Sequence, residues 1–149
     1  MRLDTLNYHK RLNCDATSFF KVLEKEQLAY FQQKDTQLGQ LTEGTQVRSA
    51  LRTKMSQTPV ASTMLVKRLV KNECFELETN YPGGTILQTY RLKEVEQGVA
   101  VTYSEKNILE NGKNQLSMLL VLPLYKFFYN RNGKKRLQYL ESLAQQVYN

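Results

Sequence analysis

The sequence predicts an α+β fold in which an antiparallel sheet holds one long C-terminal helix. After Gly44 the chain alternates apolar and polar residues with a period of two, which is typical of strands with one buried face. The C-terminal segment instead carries Leu137, Leu140, Ala144 and Val147 at helical spacing. The alternating strands are the only large apolar surface upstream of this stripe. We therefore expect the helix to pack on the sheet and to leave a cavity between the two layers.

The N-terminal third predicts one strand followed by two short helices. The strand ends near Asn13, and Asp15 stands where its side chain can cap the first helix. The apolar pattern of that helix stops after Leu23, and a second helical piece is predicted at about 27–33, before a polar loop. The later strands and their turn signals are 45–52, 60–70 with a turn at Asn72, 74–81 with a turn at Pro82, Gly83 and Gly84, 86–92 with a turn at 96–98, and 99–105.

Composition favours one cytoplasmic domain that spans residues 1–149. The hydrophobic fraction of 41% and the charged fraction of 23% are those of a globular protein, and neither a signal-type nor a membrane-spanning apolar run occurs. Cys14 and Cys74 lie far apart without soft ligands nearby, so we expect neither a metal site nor a disulfide. His9 has no second histidine or nucleophile motif beside it, and we interpret it as a surface residue.

Net charge permits contact with polyanions without indicating a dedicated site. The chain has 21 basic and 14 acidic residues, which gives a formal charge of +7. The basic residues are spread over several elements, including Lys134, Lys135 and Arg136 in the last helix. We therefore expect nucleic-acid binding to be weak and nonspecific at most.

The element order and several segments resemble the START-like superfamily, also called SRPBCC or helix-grip proteins, which includes the birch pollen allergen and polyketide cyclase-like proteins. The segments are LNCDATSFFKVLEKE, VTYSEKN and the tail MLLVLPLYKFFYNRNGKKRLQYLESLAQQV. The chain is similar to small uncharacterised bacterial families within that group. The resemblance implies a curved sheet wrapped around the terminal helix, with a pocket for an apolar or amphipathic ligand. It implies no chemistry, because enzymes, carriers and interaction modules share this frame.

Polar side chains on otherwise apolar faces are the candidate ligand-binding residues. Buried tyrosines and carboxylates need hydrogen-bond partners, which a ligand or water could supply. The alternative is that the inward and outward faces are not maintained near the strand ends, so that Glu105 points to solvent and the tyrosines reach only the rim of the pocket. The candidates are Gln88, Tyr90, Tyr103 and Glu105 on the strands, and Tyr125 and Tyr129 on the sheet-facing side of the helical tail.

The first half of the tail is apolar all round, which leaves two geometries open. In the first geometry, a break near Asn132 and Gly133 changes the direction of the helix between its two halves. In the second, one straight helix presents Leu124 and Phe128 to something other than the sheet. Pro123 fits the first turn of a helix that begins there. The apolar residues of this half that do not face the sheet belong to the core, to a homodimer contact or to a lid over the pocket.

Enzymatic motifs are missing from the sequence. It contains no nucleophile elbow, phosphate loop, dinucleotide fingerprint or metal-ligand cluster, and Glu76 and Glu78 fall on the polar face of their strand. We therefore expect non-catalytic binding of a small apolar or amphipathic molecule, without a cofactor. One alternative is an interaction module for a partner protein or nucleic acid. A weaker one is a cyclase-like or hydrolase-like enzyme that uses Tyr103 and Glu105.

Overall fold

A computed structural model describes residues 5–51, 60–109 and 134–146. Neither helix in these ranges is long and apolar enough to cross a membrane. The predicted order of strand, helical region, five strands and C-terminal helix is confirmed. The elements are β1 (Thr5–Leu12), α1 (Ala16–Gln32), β2 (Gln46–Leu51), β3 (Val60–Val70), β4 (Cys74–Tyr81), β5 (Gly84–Val95), β6 (Gly98–Leu109) and α2 (134–146).

The strands form one curved antiparallel sheet in the order β1-β6-β5-β4-β3-β2. Strands β2 to β6 pair in chain order, and β1 pairs with β6. Because β1 and β2 lie at opposite edges, α1, which connects them, must cross one face of the sheet. The curved sheet with α1 and a C-terminal helix gives an α+β helix-grip fold, as predicted.

Tight turns set the register of the later strands. Residues 82–83 and 96–97 form two-residue connections, where the sequence predicted turns. Gln97 takes a φ of 65°, in the left-handed region that a tight hairpin turn requires. A Cβ atom on the next residue, Gly98, would collide with the carbonyl oxygen of Leu12. Glycine at this position therefore lets β6 approach the end of β1.

One continuous helix replaces the two short helices that the sequence predicted. Asp15 caps α1 as expected, since its carboxylate accepts a 2.6 Å hydrogen bond from the Ser18 backbone N–H. The predicted break between the two short helices was wrong, because an interruption of the apolar pattern does not by itself end a helix. No Gly or Pro interrupts α1, and the Lys, Glu and Gln residues after Leu23 favour helix. Gln27 occupies a position four residues from both Leu23 and Phe31, on the stripe that faces inward.

The residues on the inner face of the sheet are those that the predicted alternation along each strand placed there. Phe75, Leu77 and Thr79 are buried on β4, as are Tyr90 and Leu92 on β5 and Val99, Val101 and Tyr103 on β6. The sequence left the inward side of β3 open. The structure assigns it to Ser62, Met64 and Val66, all of which are buried.

Helix α2 packs into this core through the predicted stripe. Leu137, Leu140 and Ala144 are buried with the sheet residues, whereas Val147 lies outside the described residues. Two further side chains of α2 hold the junction between β1 and α1. Glu141 accepts a 2.6 Å hydrogen bond from the backbone N–H of Asn13, and Gln145 donates one of 3.1 Å to the Asn13 carbonyl. These contacts fix α2 relative to the cavity described below.

The predictions for the apolar half of the tail cannot be compared with the structure. The expected helix start at Pro123 and the break near Asn132 and Gly133 lie outside the described residues.

Candidate functional site

The described residues enclose a cavity of about 430 Å³ between the sheet and the two helices. This volume lies in the range of about 300–1,000 Å³ that is typical of small-molecule sites. Apolar side chains line part of the wall, among them Met64 and Leu77 from the sheet and Leu140 from α2. Gln27 of α1 also faces the cavity. The inward position of a polar residue on the buried stripe of α1 is therefore explained by the space that it borders.

Two tyrosines in tilted ring contact and an arginine form one end of the cavity. The ring centroids of Tyr90 and Tyr103 are 4.7 Å apart. The Arg136 guanidinium lies 5.1 Å from the centroid of the Tyr103 ring and donates a 2.6 Å hydrogen bond to the Tyr103 hydroxyl. The same hydroxyl accepts a 2.8 Å hydrogen bond from Gln88 Nε2 and donates one of 3.2 Å to a Glu105 carboxylate oxygen. Tyr103 thus holds Arg136 against the sheet.

The charge states of this end are fixed at neutral pH. Burial raises the pKa of both phenols above the ordinary value of 10.0, although the Arg136 charge opposes the shift. Burial lowers the pKa of the Arg136 guanidinium, but its interactions with Tyr90, Tyr103 and Glu105 outweigh burial and raise that pKa above its ordinary value. The hydroxyls therefore stay protonated and the guanidinium stays positive. Arg136 as a residue is exposed, because it lies in the first described turn of α2, while its guanidinium reaches inward to the cavity wall.

A pair of serines lies at another part of the cavity wall. Ser49 of β2 and Ser62 of β3 are partners in the ladder, and both border the cavity. Ser62 is only 7% exposed, and its hydroxyl has no hydrogen-bond partner in the part of the chain that the structure describes. Buried hydroxyls are ordinarily paired, so this group is free to bond to whatever occupies the cavity.

Two aromatic residues border the cavity from the helices and also face solvent. Tyr30 of α1 is 43% exposed and Tyr139 of α2 is 54% exposed, and both belong to the cavity wall. These tyrosines therefore mark an opening between α1 and α2.

The structure brings together four of the six residues predicted to bind a ligand. Gln88 and Tyr90 line the cavity, and Tyr103, which is 1% exposed, lies behind them. The suggestion that these tyrosines reach only the rim is wrong. Glu105 is half-buried and accepts from Tyr103, so its carboxylate is directed along the predicted face. Tyr125 and Tyr129 lie outside the described residues.

Sequence analysis missed Arg136, Ser62 and the cavity-facing residues of α1. Arg136 was counted with Lys134 and Lys135 among the dispersed basic residues of the last helix. A signal was available, because Arg136, Leu140 and Ala144 follow one another at a spacing of four residues, which places them on one helical stripe. No comparable signal identified Ser62, since β3 carries apolar residues on both faces.

Reactive groups elsewhere in the described residues are engaged or unreactive. Burial raises the pKa of the Cys14 thiol to about 11, with the charges of Glu141 and Asp15 acting in the same direction. His9 pairs with Thr102 at 2.7 Å on the outer face of the sheet. The outer face also carries Glu76, which accepts from Thr89, and Glu78, which forms an ion pair with Lys67. These two carboxylates do not share a site with the cavity.

The fold and the cavity define the class as a helix-grip protein with an internal space open between its helices. Within that class, the chain belongs to the family described as a domain of unknown function (DUF3284), whose model matches residues 6–130. No curated protein matches the sequence.

Solved structures of low sequence identity share the fold. TTHA0849 from Thermus thermophilus is 9% identical, with a TM-score of 0.64 over 97% of this chain and 99% of that protein. Ara h 8.0201 is 6% identical, with a TM-score of 0.60 over 95% of this chain and 97% of its own. DynU16, from the dynemicin biosynthetic locus, is 11% identical, with a TM-score of 0.58 over 93% of this chain and 47% of its own. At these identities the likeness extends to the fold alone.

Proposed function

We propose that the protein binds a small amphipathic molecule in the cavity and performs no chemistry on it. One observation carries this proposal. A cavity of about 430 Å³ combines apolar side chains with the buried Ser62 hydroxyl, which has no hydrogen-bond partner among the described residues. The volume is many times the share of about 30 Å³ that one water molecule takes in the liquid. A ligand with both apolar and polar parts fits such a wall better than water alone.

The opening supports entry of an apolar molecule from solvent. Tyr30 and Tyr139 are two of the three large, exposed hydrophobic side chains among the described residues, and both border the cavity. Exposed aromatic surface at the mouth of an internal space is typical of a ligand entrance. Placement in the START-like superfamily, which we also propose, agrees with this role.

The predicted binding residues take different parts in this proposal. Gln88 and Tyr90 contact the ligand directly, whereas Tyr103 and Glu105 act by holding Arg136. Ligand contacts by Tyr125 and Tyr129 stay predictions.

The enzymatic alternative fits the geometry less well. It needs Tyr103 or Glu105 to exchange a proton with a substrate, but Tyr103 is almost fully buried behind Gln88 and Arg136. Its raised pKa keeps the phenol protonated, and its proton is directed to Glu105. A phenol in this state acts as a structural hydrogen-bond donor rather than as a general base.

Native mass spectrometry of the protein purified from its own host tests the proposal directly. We expect a retained small molecule. In a thermal-shift panel of fatty acids, sterols and aromatic polyketides, at least one compound should raise the melting temperature of the protein, since a ligand specific for the native state stabilises it. Replacing Leu77 with Phe should fill part of the cavity and remove the ligand-dependent shift. The matched control is Leu87→Phe, because Leu87 lies one residue before Gln88 on the opposite face of the sheet.

Two results would contradict the proposal. One is the absence of both a retained molecule and any stabilising panel member. The other is an equal ligand response in the Leu77→Phe and Leu87→Phe proteins, which would place binding outside the cavity. Either result would favour the alternative of a surface interaction module.

A further inference from the structure

We infer that the ligand is an elongated acid whose single anionic group binds Arg136 and whose uncharged hydrogen-bonding group, a hydroxyl or carbonyl, binds Ser62. This inference rests on the proposed function and names the class of molecule that the cavity selects. It follows from a permanent positive charge and a buried hydroxyl without a partner in the described part of the chain, two groups that border the same space.

Arg136 supplies a cation at the cavity wall, where the Glu105 carboxylate, which accepts from Tyr103, also acts on it electrostatically. The Arg136 Nη1 atom donates to the Tyr103 hydroxyl, and the planar guanidinium carries further N–H donors. A guanidinium that lines a cavity and is held in place by Tyr103 is well suited to a carboxylate or a phosphate.

A second charge at the cavity limits the ligand to one acidic group. Glu26 of α1 belongs to the same wall as Arg136. A molecule with negative charge along its whole length would be repelled by Glu26, whereas a molecule with one terminal anion need only meet Arg136. The cavity therefore disfavours polyanions.

Ser62 defines the uncharged polar contact. Its side chain is more than nine-tenths buried, it borders the cavity, and its Oγ atom has no partner among the described residues. Ser49, its partner in the ladder, also borders the cavity but does not bond to it. A ligand hydroxyl or carbonyl would satisfy the Ser62 hydroxyl without bringing in charge.

The separation of the two groups gives the ligand its length. Ser62 lies on β3, while Arg136 is held to β6 by Tyr103, and β4 and β5 lie between them. Three strand spacings amount to about 14 Å across the sheet, and the strand registers align Tyr103 with Leu69 of β3, well along the strand from Ser62, so the two groups lie toward opposite ends of the cavity. Leu77, on an intervening strand, lines the cavity with an apolar side chain, so the middle of the ligand is apolar.

Binding of four matched probes tests the inference on the full chain. The probes are decanoic acid, decanamide, decanol and ω-hydroxydecanoic acid, which differ only in the charge and in the second polar group. We expect decanoic acid to bind at least about tenfold more tightly than decanamide, because a hydrogen bond to a charged group contributes more than a neutral one. The ω-hydroxy acid should gain roughly a further two- to tenfold through Ser62.

Variants assign each preference to its residue. Arg136→Gln should weaken acid binding about tenfold or more and leave decanamide unchanged, whereas Arg136→Lys should retain most of the preference for acid. Ser62→Ala should remove only the gain from the ω-hydroxyl. The matched controls are Lys135→Gln, an exposed charge on the same helix, and Ser104→Ala, a serine on the outer face of β6. Neither control should alter the ranking of the probes.

The outcomes separate this inference from the proposed function. If no probe binds the wild-type protein, the cavity proposal fails for linear amphiphiles and the inference fails with it. If the probes bind the cavity equally, or if Arg136→Gln lowers acid and amide affinity to the same extent, the inference is overturned while cavity binding stands. A gain from the ω-hydroxyl that persists in Ser62→Ala overturns the assignment of Ser62.

Discussion

At the scale of single residues, the Tyr103 hydroxyl organises the polar end of the cavity. It accepts from both Gln88 and Arg136 and donates to Glu105. Replacing Tyr103 with Phe should lower the free energy of unfolding by about 1–2 kcal/mol, because two donors lose their acceptor, one of them charged. Urea unfolding of the two proteins measures this change.

The control for that measurement is Tyr139→Phe, which removes a hydroxyl from a side chain that is 54% exposed. A surface change of this kind should stay within about 0.5 kcal/mol of the wild type. Equal effects of the two substitutions would mean that the hydrogen bonds of Tyr103 do not stabilise the fold.

The alternation of side chains was enough to place the four strand candidates on one inward face of β5 and β6. Gln88, Tyr90, Tyr103 and Glu105 share the inward face because side chains alternate along a strand. The alternation of side chains along a strand could not show that Tyr103 lies behind the cavity wall rather than in it. That position depends on Arg136, which comes from a distant element and covers the Tyr103 ring.

At the scale of elements, the Asp15 cap determines where α1 begins. The Ser18 backbone N–H lowers the pKa of Asp15 below 3.8, so the stabilising effect is present above that pH and is lost as the pH falls through the lowered value. Asp15→Ala should lower the free energy of unfolding by about 0.5–2 kcal/mol at neutral pH. Asp15→Asn should retain most of the cap, since asparagine also accepts from the N–H group. Equal losses in the two variants would assign the effect to charge instead of capping.

Elements were predictable from sequence where local chemistry defines them. Turn residues and alternation gave the hairpins of β4, β5 and β6, because these depend on neighbouring residues. The continuity of α1 was not predicted, since Gln27 breaks the apolar stripe for a reason that lies in the cavity. Polar residues that border an internal cavity thus weaken the periodic signal on which helix prediction depends.

At the scale of the whole molecule, the sequence predicted the layers and a cavity between them, but not the volume of that cavity. The volume of the cavity depends on how far α1 and α2 stand from the sheet. That distance is set by contacts between remote residues, such as those of Glu141 and Gln145 with Asn13. These contacts join positions far apart in the chain, so no local pattern predicts them.

Net charge is also a property of the whole molecule, and it leads to a prediction about nucleic acid. With a formal charge of +7 and basic residues dispersed over the chain, binding to a labelled DNA duplex should be weaker than about 1 μM at physiological salt and should fall steeply as salt rises. Fluorescence anisotropy at several salt concentrations measures both effects. Reversing the charges of Lys134 and Lys135 should weaken binding no more than reversing Lys21 and Lys25, which are exposed on α1 and change the net charge equally. A tight complex that persists at physiological salt and is lost only on reversal of Lys134 and Lys135 would instead identify the start of α2 as a nucleic-acid interface.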